Sequence, residues 1–197
     1  MYIEAITMNK KRGKPMNTTQ SLQRLEELTH TYLEELQFIT SEQVNASPNE
    51  AEWSLGQMYQ HLINSALYMQ ISNINICLNQ DQNHNLDENN IGVKTDIGNQ
   101  VFALGGFPPI RIHVPASSQY TPVNPESKEQ LIEGMNRVLI KMKEIEPRLQ
   151  QFPSMNTVRH PRLGSLNAVE WFSLVEMHYR HHLHQRDRLY EFLNISL

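Results

Sequence analysis

Residues 167–194 read NAVEWFSLVEMHYRHHLHQRDRLYEFLN, and this stretch decides the fold. Asn167 stands three residues before Glu170, the spacing of a capping box, in which the first side chain caps the helix and the second reaches back. Leu166 and Trp171 flank the cap as a hydrophobic staple. At about 100° per residue, Trp171, Leu174, Val175, Leu189, Phe192 and Leu193 share one face. That stripe predicts an amphipathic helix running to about Asn194 and packed on other helices. His178 and His182 fall within roughly 20° of the stripe's centre, at i and i+4, and Gln185 lies roughly 40° from it. His181 sits at the edge of the stripe and His184 faces away. The histidine cluster therefore divides into two inward and two outward residues.

Three further segments carry the same period. Asn17 or Thr18 caps the first, which shows Leu22, Leu25, Leu28, Tyr32, Leu36 and Ile39 at intervals of three and four. Ser54 and Gln57 form a capping box for the second. Its face is Met58, Leu62, Ser65, Met69, Ser72 and Ile76, with His61 on the flank, roughly 60° from Met58. Asn124-Pro125 reads as a cap and first helical residue for the third, with the stripe Leu131, Met135, Val138, Met142 and Ile145. Pro147 marks its end or a kink.

Between the second and third segments, residues 79–121 hold Gly92, Gly98, Gly105, Gly106, Pro108, Pro109 and Pro115. That composition predicts no helix, only short extended pieces such as Val101–Leu104 or Ile110–Val114. The interval is long enough to run the length of a bundle, so the second and third helices are expected to lie parallel. The shorter links fit antiparallel neighbours. The expected fold is all-α: a four-helix bundle with one long irregular crossover, built as a single domain over residues 17–197. Residues 1–16 are expected to be a flexible tail, with Met8 or Met16 as alternative starts.

Composition narrows the function. The chain has 197 residues, a net charge of -4, nine His and one Cys. The acidic balance argues against nucleic-acid binding, which needs clustered Lys and Arg. No apolar run reaches membrane-spanning length and the first residues lack a secretory core, so a cytoplasmic protein without a membrane partner is expected. The lone Cys77 fits a reducing compartment.

Two imidazoles at i and i+4 on an inward face have the spacing to share one ion, and His61 could complete a facial set of three. Three neutral nitrogens leave positions open for water or substrate, the arrangement of a catalytic site. The competing reading is a hydrogen-bonded core of histidines without metal. Gln185 fits either a ligand-bound water or a backbone hydrogen bond. His30, His84, His113 and His160 have no comparable placement and read as surface or loop residues.

Three motifs bring a family into view. Residues 53–62, WSLGQMYQHL, are similar to the WSxxxxxxHL segment of the DinB-like superfamily. Residues 160–171, HPRLGSLNAVEW, resemble the HPxxGxLxxxEW lead-in of one branch, and residues 178–185, HYRHHLHQ, its HxxHHLxQ. The resemblance implies an up-down-down-up bundle and a divalent metal, commonly zinc or nickel, held by His61, His178 and His182. Gln185, Gln57 and His181 are the expected supporting or pocket residues. It also implies a homodimer. Relatives with known activity use low-molecular-weight thiols, and others are described as hydrolases.

The expected function is therefore a metal-dependent enzyme of thiol S-transferase-like or hydrolase type acting on a small molecule. The alternative is a non-catalytic, dimeric, stress-related bundle that binds metal or a small molecule. No Glu or Asp lies on the inward stripes near the three histidines, which favours thiol activation over base-assisted hydrolysis. Cys77 lies far along its helix from His61, so a reacting thiol would arrive from solution. Gly105–Pro109 is the expected wall or lid.

Overall fold

Asn17 caps α1 (Thr18–Phe38), its side chain accepting the backbone N–H of Gln20 at 3.0 Å. The structure, a computed structural model of the chain, describes residues 17–79, 92–108, 121–151 and 156–196. The 1–16 tail, most of the amide-rich stretch after Asn79, and Ile110–Val114 lie outside the described residues, as do His84 and His113.

The first link holds a short helix, α2 (Ser41–Asn45), closed by a Thr40–Gln43 capping box. The second long helix opens, as its sequence predicts, on the Ser54–Gln57 box. It runs as α3 (Leu55–Asn64), a π-helical segment (Ser65–Gln70) and α4 (Ile71–Asn79). The π segment corrects the predicted face. A π turn takes in an extra residue and rotates everything after it. Beyond Ser65 the buried residues are Ala66, Gln70, Ile71, Ile74 and Cys77, while Ser72 and Ile76 are exposed.

The crossover is also corrected, because it contains a helix, α5 (Asp96–Leu104). Thr95 caps its start, and Gly105, at φ 67°, ends it in the left-handed conformation that glycine adopts without penalty. Val101–Leu104, expected to be extended, belongs to this helix. α6 (Lys128–Gln151) starts later than Pro125 and runs through Pro147. Ser127 is its cap, accepting Gln130 N–H at 3.2 Å. Asn124 is engaged by the Ser54 hydroxyl instead, and Pro125 packs on Gly56, where a Cβ would lie 2.6 Å from its ring.

A feature not anticipated from the sequence precedes the last helix. β1 (Thr157–His160) and β2 (Gly164–Asn167) form an antiparallel hairpin, and α7 (Ala168–Phe192) follows from the Asn167–Glu170 capping box. The crossover attaches to this hairpin. Thr95 N–H donates to the Leu163 carbonyl at 3.0 Å, Ser165 N–H donates to Val93 O at 3.2 Å, and Lys94 Nζ pairs with Glu170. Gly164, at φ 80°, permits this approach: a Cβ there would lie 2.5 Å from Val93 O.

The four long helices form the bundle, with α1 and the second long helix each packed chiefly on α6 and α7. The first and second long helices, and α6 and α7, are thus not each other's chief neighbours, contrary to the sequence expectation for the shorter links, whereas the second long helix does lie beside α6. The two links, carrying α2 and the hairpin, are long enough to cross the bundle ends. The core is apolar and includes Leu25, Leu36, Met58, Leu62, Met135, Trp171 and Val175. Each large side chain fully buried there contributes about 1.5–3 kcal/mol. Two buried hydroxyls cross it, Tyr59 Oη donating to Tyr32 O and Tyr32 Oη to Tyr179 O, both at 2.9 Å. In the last turn of α7 Leu189 and Tyr190 stay buried, but Phe192, predicted inward, is 43% exposed.

Candidate metal centre

His61 projects from α3 one turn before the π segment, and His178 and His182 project from the middle of α7. Their Nε2 atoms converge. His178 Nε2 lies 3.1 Å from His61 Nε2 and 3.1 Å from His182 Nε2, and the three ligand atoms fall within 4.8 Å of one another. The ring pairs stand 4.7–5.0 Å apart at steep angles, so edges rather than faces meet.

All three are held neutral. Burial lowers the pKa of His61 to about 4. Burial, then the neighbouring His61, lowers that of His182 to about 3. His178 is pushed well below its ordinary value by burial and then by His182 and His61. Neutral imidazole is the form that ligates metal. The tautomer of His182 is set by Gln185, whose Oε1 accepts from His182 Nδ1–H at 2.9 Å and leaves the Nε2 lone pair facing the centre. Gln185 thus bonds the ring of His182, the place of a supporting residue. Three nitrogens crowded to this distance fit a shared divalent cation. The buried Nδ1 of His178 has no partner among the described residues.

The histidines floor a cavity of about 420 Å³. Trp53 stands over His61, with ring centres 5.0 Å apart, and Phe107 over His181 at 5.4 Å. Arg180 holds the Phe107 segment in place: it donates to the Gly105 carbonyl at 2.6 Å and pairs with Glu176. The crossover thus supplies a wall, as its glycine-proline segment suggested. His181 lines the cavity beside His182, with its Nδ1 buried and without a partner among the described residues. Gln57 does not line it. Its amide bonds Ser54 N–H and the Pro122 carbonyl, and it faces a neighbouring cavity of about 380 Å³.

Other wall residues escaped the sequence reading. His160, expected at the surface, packs on Trp171 at 5.3 Å and lines the cavity, its pKa lowered to about 4 by burial and then by Arg162. Gln70 lines it because of the π turn, 2% exposed and with Oε1 unpartnered among the described residues. Glu52 is a carboxylate in the wall, its Oε1 accepting from Asn49 Nδ2 at 3.2 Å. Cys77 is buried away from the cavity, its thiol pushed up to about 11 by burial.

Two outcomes are expected of the centre. Gln185→Ala lowers divalent-metal affinity by about 10- to 100-fold, as measured against a competing chromogenic chelator, because His182 loses the acceptor that fixes its tautomer. The metal-free protein loses stability on acidification between pH 6.5 and about 4. His61 and His182 have folded-state pKa values below the unfolded one, so the unfolded chain takes up protons first. Their contribution is intact above pH 6.5 and falls by about 1.4 kcal/mol per pH unit for each proton taken up. Denaturant melts across this range check it.

No curated protein matches the chain. Among solved structures it is similar to YfiT from Bacillus subtilis, described as a probable metal-dependent hydrolase with an unusual four-helix bundle topology. The alignment covers 99% of this chain and 95% of that one, with a TM-score of 0.58 and 14% identity, a likeness of fold. The sequence profile of the DinB superfamily matches residues 21–185, which span both arms of the histidine centre. With its all-α bundle and crossover in agreement, the chain belongs to the DinB superfamily.

Proposed function

We propose that the chain is a metal-dependent enzyme in which His61, His178 and His182 hold a divalent ion, zinc or nickel, at the floor of the cavity. The observation that carries this reading is the convergence of three neutral Nε2 atoms on one point beneath a walled, ligand-sized space. An ion bound there supplies charge that lowers the pKa of a thiol or water toward neutrality. The chain's own residues do the rest. Gln185 fixes the orientation of His182, and Trp53 and Phe107 form apolar walls that exclude water.

The nucleophile in the first reading is a low-molecular-weight thiol from solution, used for S-transfer. Cys77 is buried and poorly ionised, so it does not serve. The second reading is hydrolysis, in line with the description of YfiT, and Glu52 in the wall is the observation that favours it. Untagged protein loaded with zinc tests the choice. Small thiols at about a hundredfold over Kd stabilise a binding protein by about 2.7 kcal/mol, or about 5–10 °C in Tm for a chain of this size. A shift that disappears on chelation supports thiol activation. No shift with any thiol at saturation turns the assignment to hydrolysis. Should neither zinc nor nickel bind, the non-catalytic bundle is the better description.

A further inference from the structure

The rim of the cavity carries charge that the metal-centre reading does not use. We propose that Arg162, Arg188 and the Nε2–H of His160 form an anion subsite, which holds a carboxylate of the substrate while its reacting group lies at the three histidines. Only the second half of that statement rests on the proposed metal-dependent function.

Three observations carry the subsite. First, Arg162 and Arg188 line the same cavity as His61, His178 and His182, and both are exposed at its edge. Second, neither has a carboxylate partner among the described residues. Arg188 spends Nη1 on the His184 carbonyl at 2.8 Å, which leaves its other N–H groups available. The remaining arginines of α7 are committed: Arg180 to Glu176 and Gly105, Arg186 to Glu35 and Asp187. Among the described residues, ion pairing is thus absent from the two that face the cavity.

Third, His160 lines the same cavity, and its hydrogen bonds make Nε2 the donor of its ring. Its Nδ1 accepts the backbone N–H groups of Arg162 and Leu163, both at 3.1 Å. A ring nitrogen that accepts carries no proton, so the proton of the neutral ring is on Nε2. Two guanidinium forks and one imidazole N–H suit the planar, two-oxygen acceptor of a carboxylate. The opposing charge is Glu52, whose Oε1 is bonded by Asn49. On a chain of net charge -4, a cationic rim at the walled histidine centre selects for an anionic substrate.

The test is calorimetric titration of the zinc-loaded full chain with 3-mercaptopropionate and with its neutral amide, 3-mercaptopropanamide, at pH 7. The acid is expected to bind about tenfold more tightly than the amide. Arg162→Ala and Arg188→Ala each weaken the acid severalfold, and the double variant brings acid and amide together. The amide's own affinity stays unchanged throughout, and Arg188→Lys keeps part of the preference. Both arginines are exposed, so these variants fold.

Equal binding of acid and amide overturns the subsite, as does absence of acid binding. A preference that survives the double substitution also overturns it, because the carboxylate is then held by the ion itself. The metal-centre reading fails separately, if chelation leaves the amide's affinity unchanged.

Discussion

Replacing His178 with alanine lowers the affinity for a divalent ion by more than about a hundredfold and leaves the bundle folded. Loss of a group that only orients a ligand costs about 10- to 100-fold, and His178 is proposed as a ligand itself. It is also the hinge of the set, since its Nε2 lies 3.1 Å from both of the others. Without it, His61 and His182 offer two nitrogens from two helices, too few to displace the water of a hydrated ion strongly. Competition with a chelator of known affinity reads the loss, and circular dichroism reads the fold. His30→Ala is the control, because His30 is exposed and pairs with Glu34 at 3.1 Å. A metal-free hydrogen-bonded network predicts the opposite pattern: the melting temperature of the wild-type chain is indifferent to chelator, and the two alanine variants take up metal alike.

Trp171→Ala destabilises the protein by about 3–5 kcal/mol, the range for removing a buried large aromatic side chain. Trp171 is fully buried at the start of α7. It also joins two parts of the fold, its Nε1–H donating to the Val158 carbonyl at 3.3 Å and its ring packing on His160. The substitution therefore leaves a void in the bundle and releases the hairpin that carries His160 and Arg162. In denaturant melts the midpoint falls at nearly unchanged slope. Trp171→Phe loses less, since most of the packing remains and only the hydrogen bond goes. A loss under 1 kcal/mol for the alanine variant contradicts the place given to this residue. The helix-borne metal set is less affected than the preference for the acid, because the hairpin holds the rim and not the histidines.

The bundle and its histidine cluster were legible for a simple reason. Asn167 and Glu170 fix where α7 begins, and from there a regular 3.6-residue period assigns His178 and His182 inward. His61 follows the Ser54–Gln57 box by only a few residues, before any irregularity accumulates. The π segment begins four residues later, and past it the period misassigns the face: Gln70 and Ile74 turn inward where Met69 and Ser72 were expected. Nothing in SALYMQ marks an inserted residue in a run of good helix formers.

The crossover helix was missed for a different reason. Gly98 read as a breaker, whereas it is the point where α5 touches the hairpin, and a Cβ there would lie 2.1 Å from Leu163 O. The caps that would have revealed the helix, Thr95 and Gly105, were visible but outweighed by the glycine and proline content around them. The rim residues Arg162 and His160 depend on the hairpin and on long-range attachment of the crossover, which no local pattern encodes. Arg188 lies on α7 near the edge that His181 occupies, so helix phase could have found it.

The most direct test of the account is anomalous diffraction from crystals of the untagged protein grown with zinc, with data collected on both sides of the zinc edge. One peak per chain is expected at the convergence of the Nε2 atoms of His61, His178 and His182, with bond lengths of about 2.0–2.1 Å and at least one position held by a ligand from solution. A zinc peak elsewhere with none at that point, or no zinc peak at all, contradicts it.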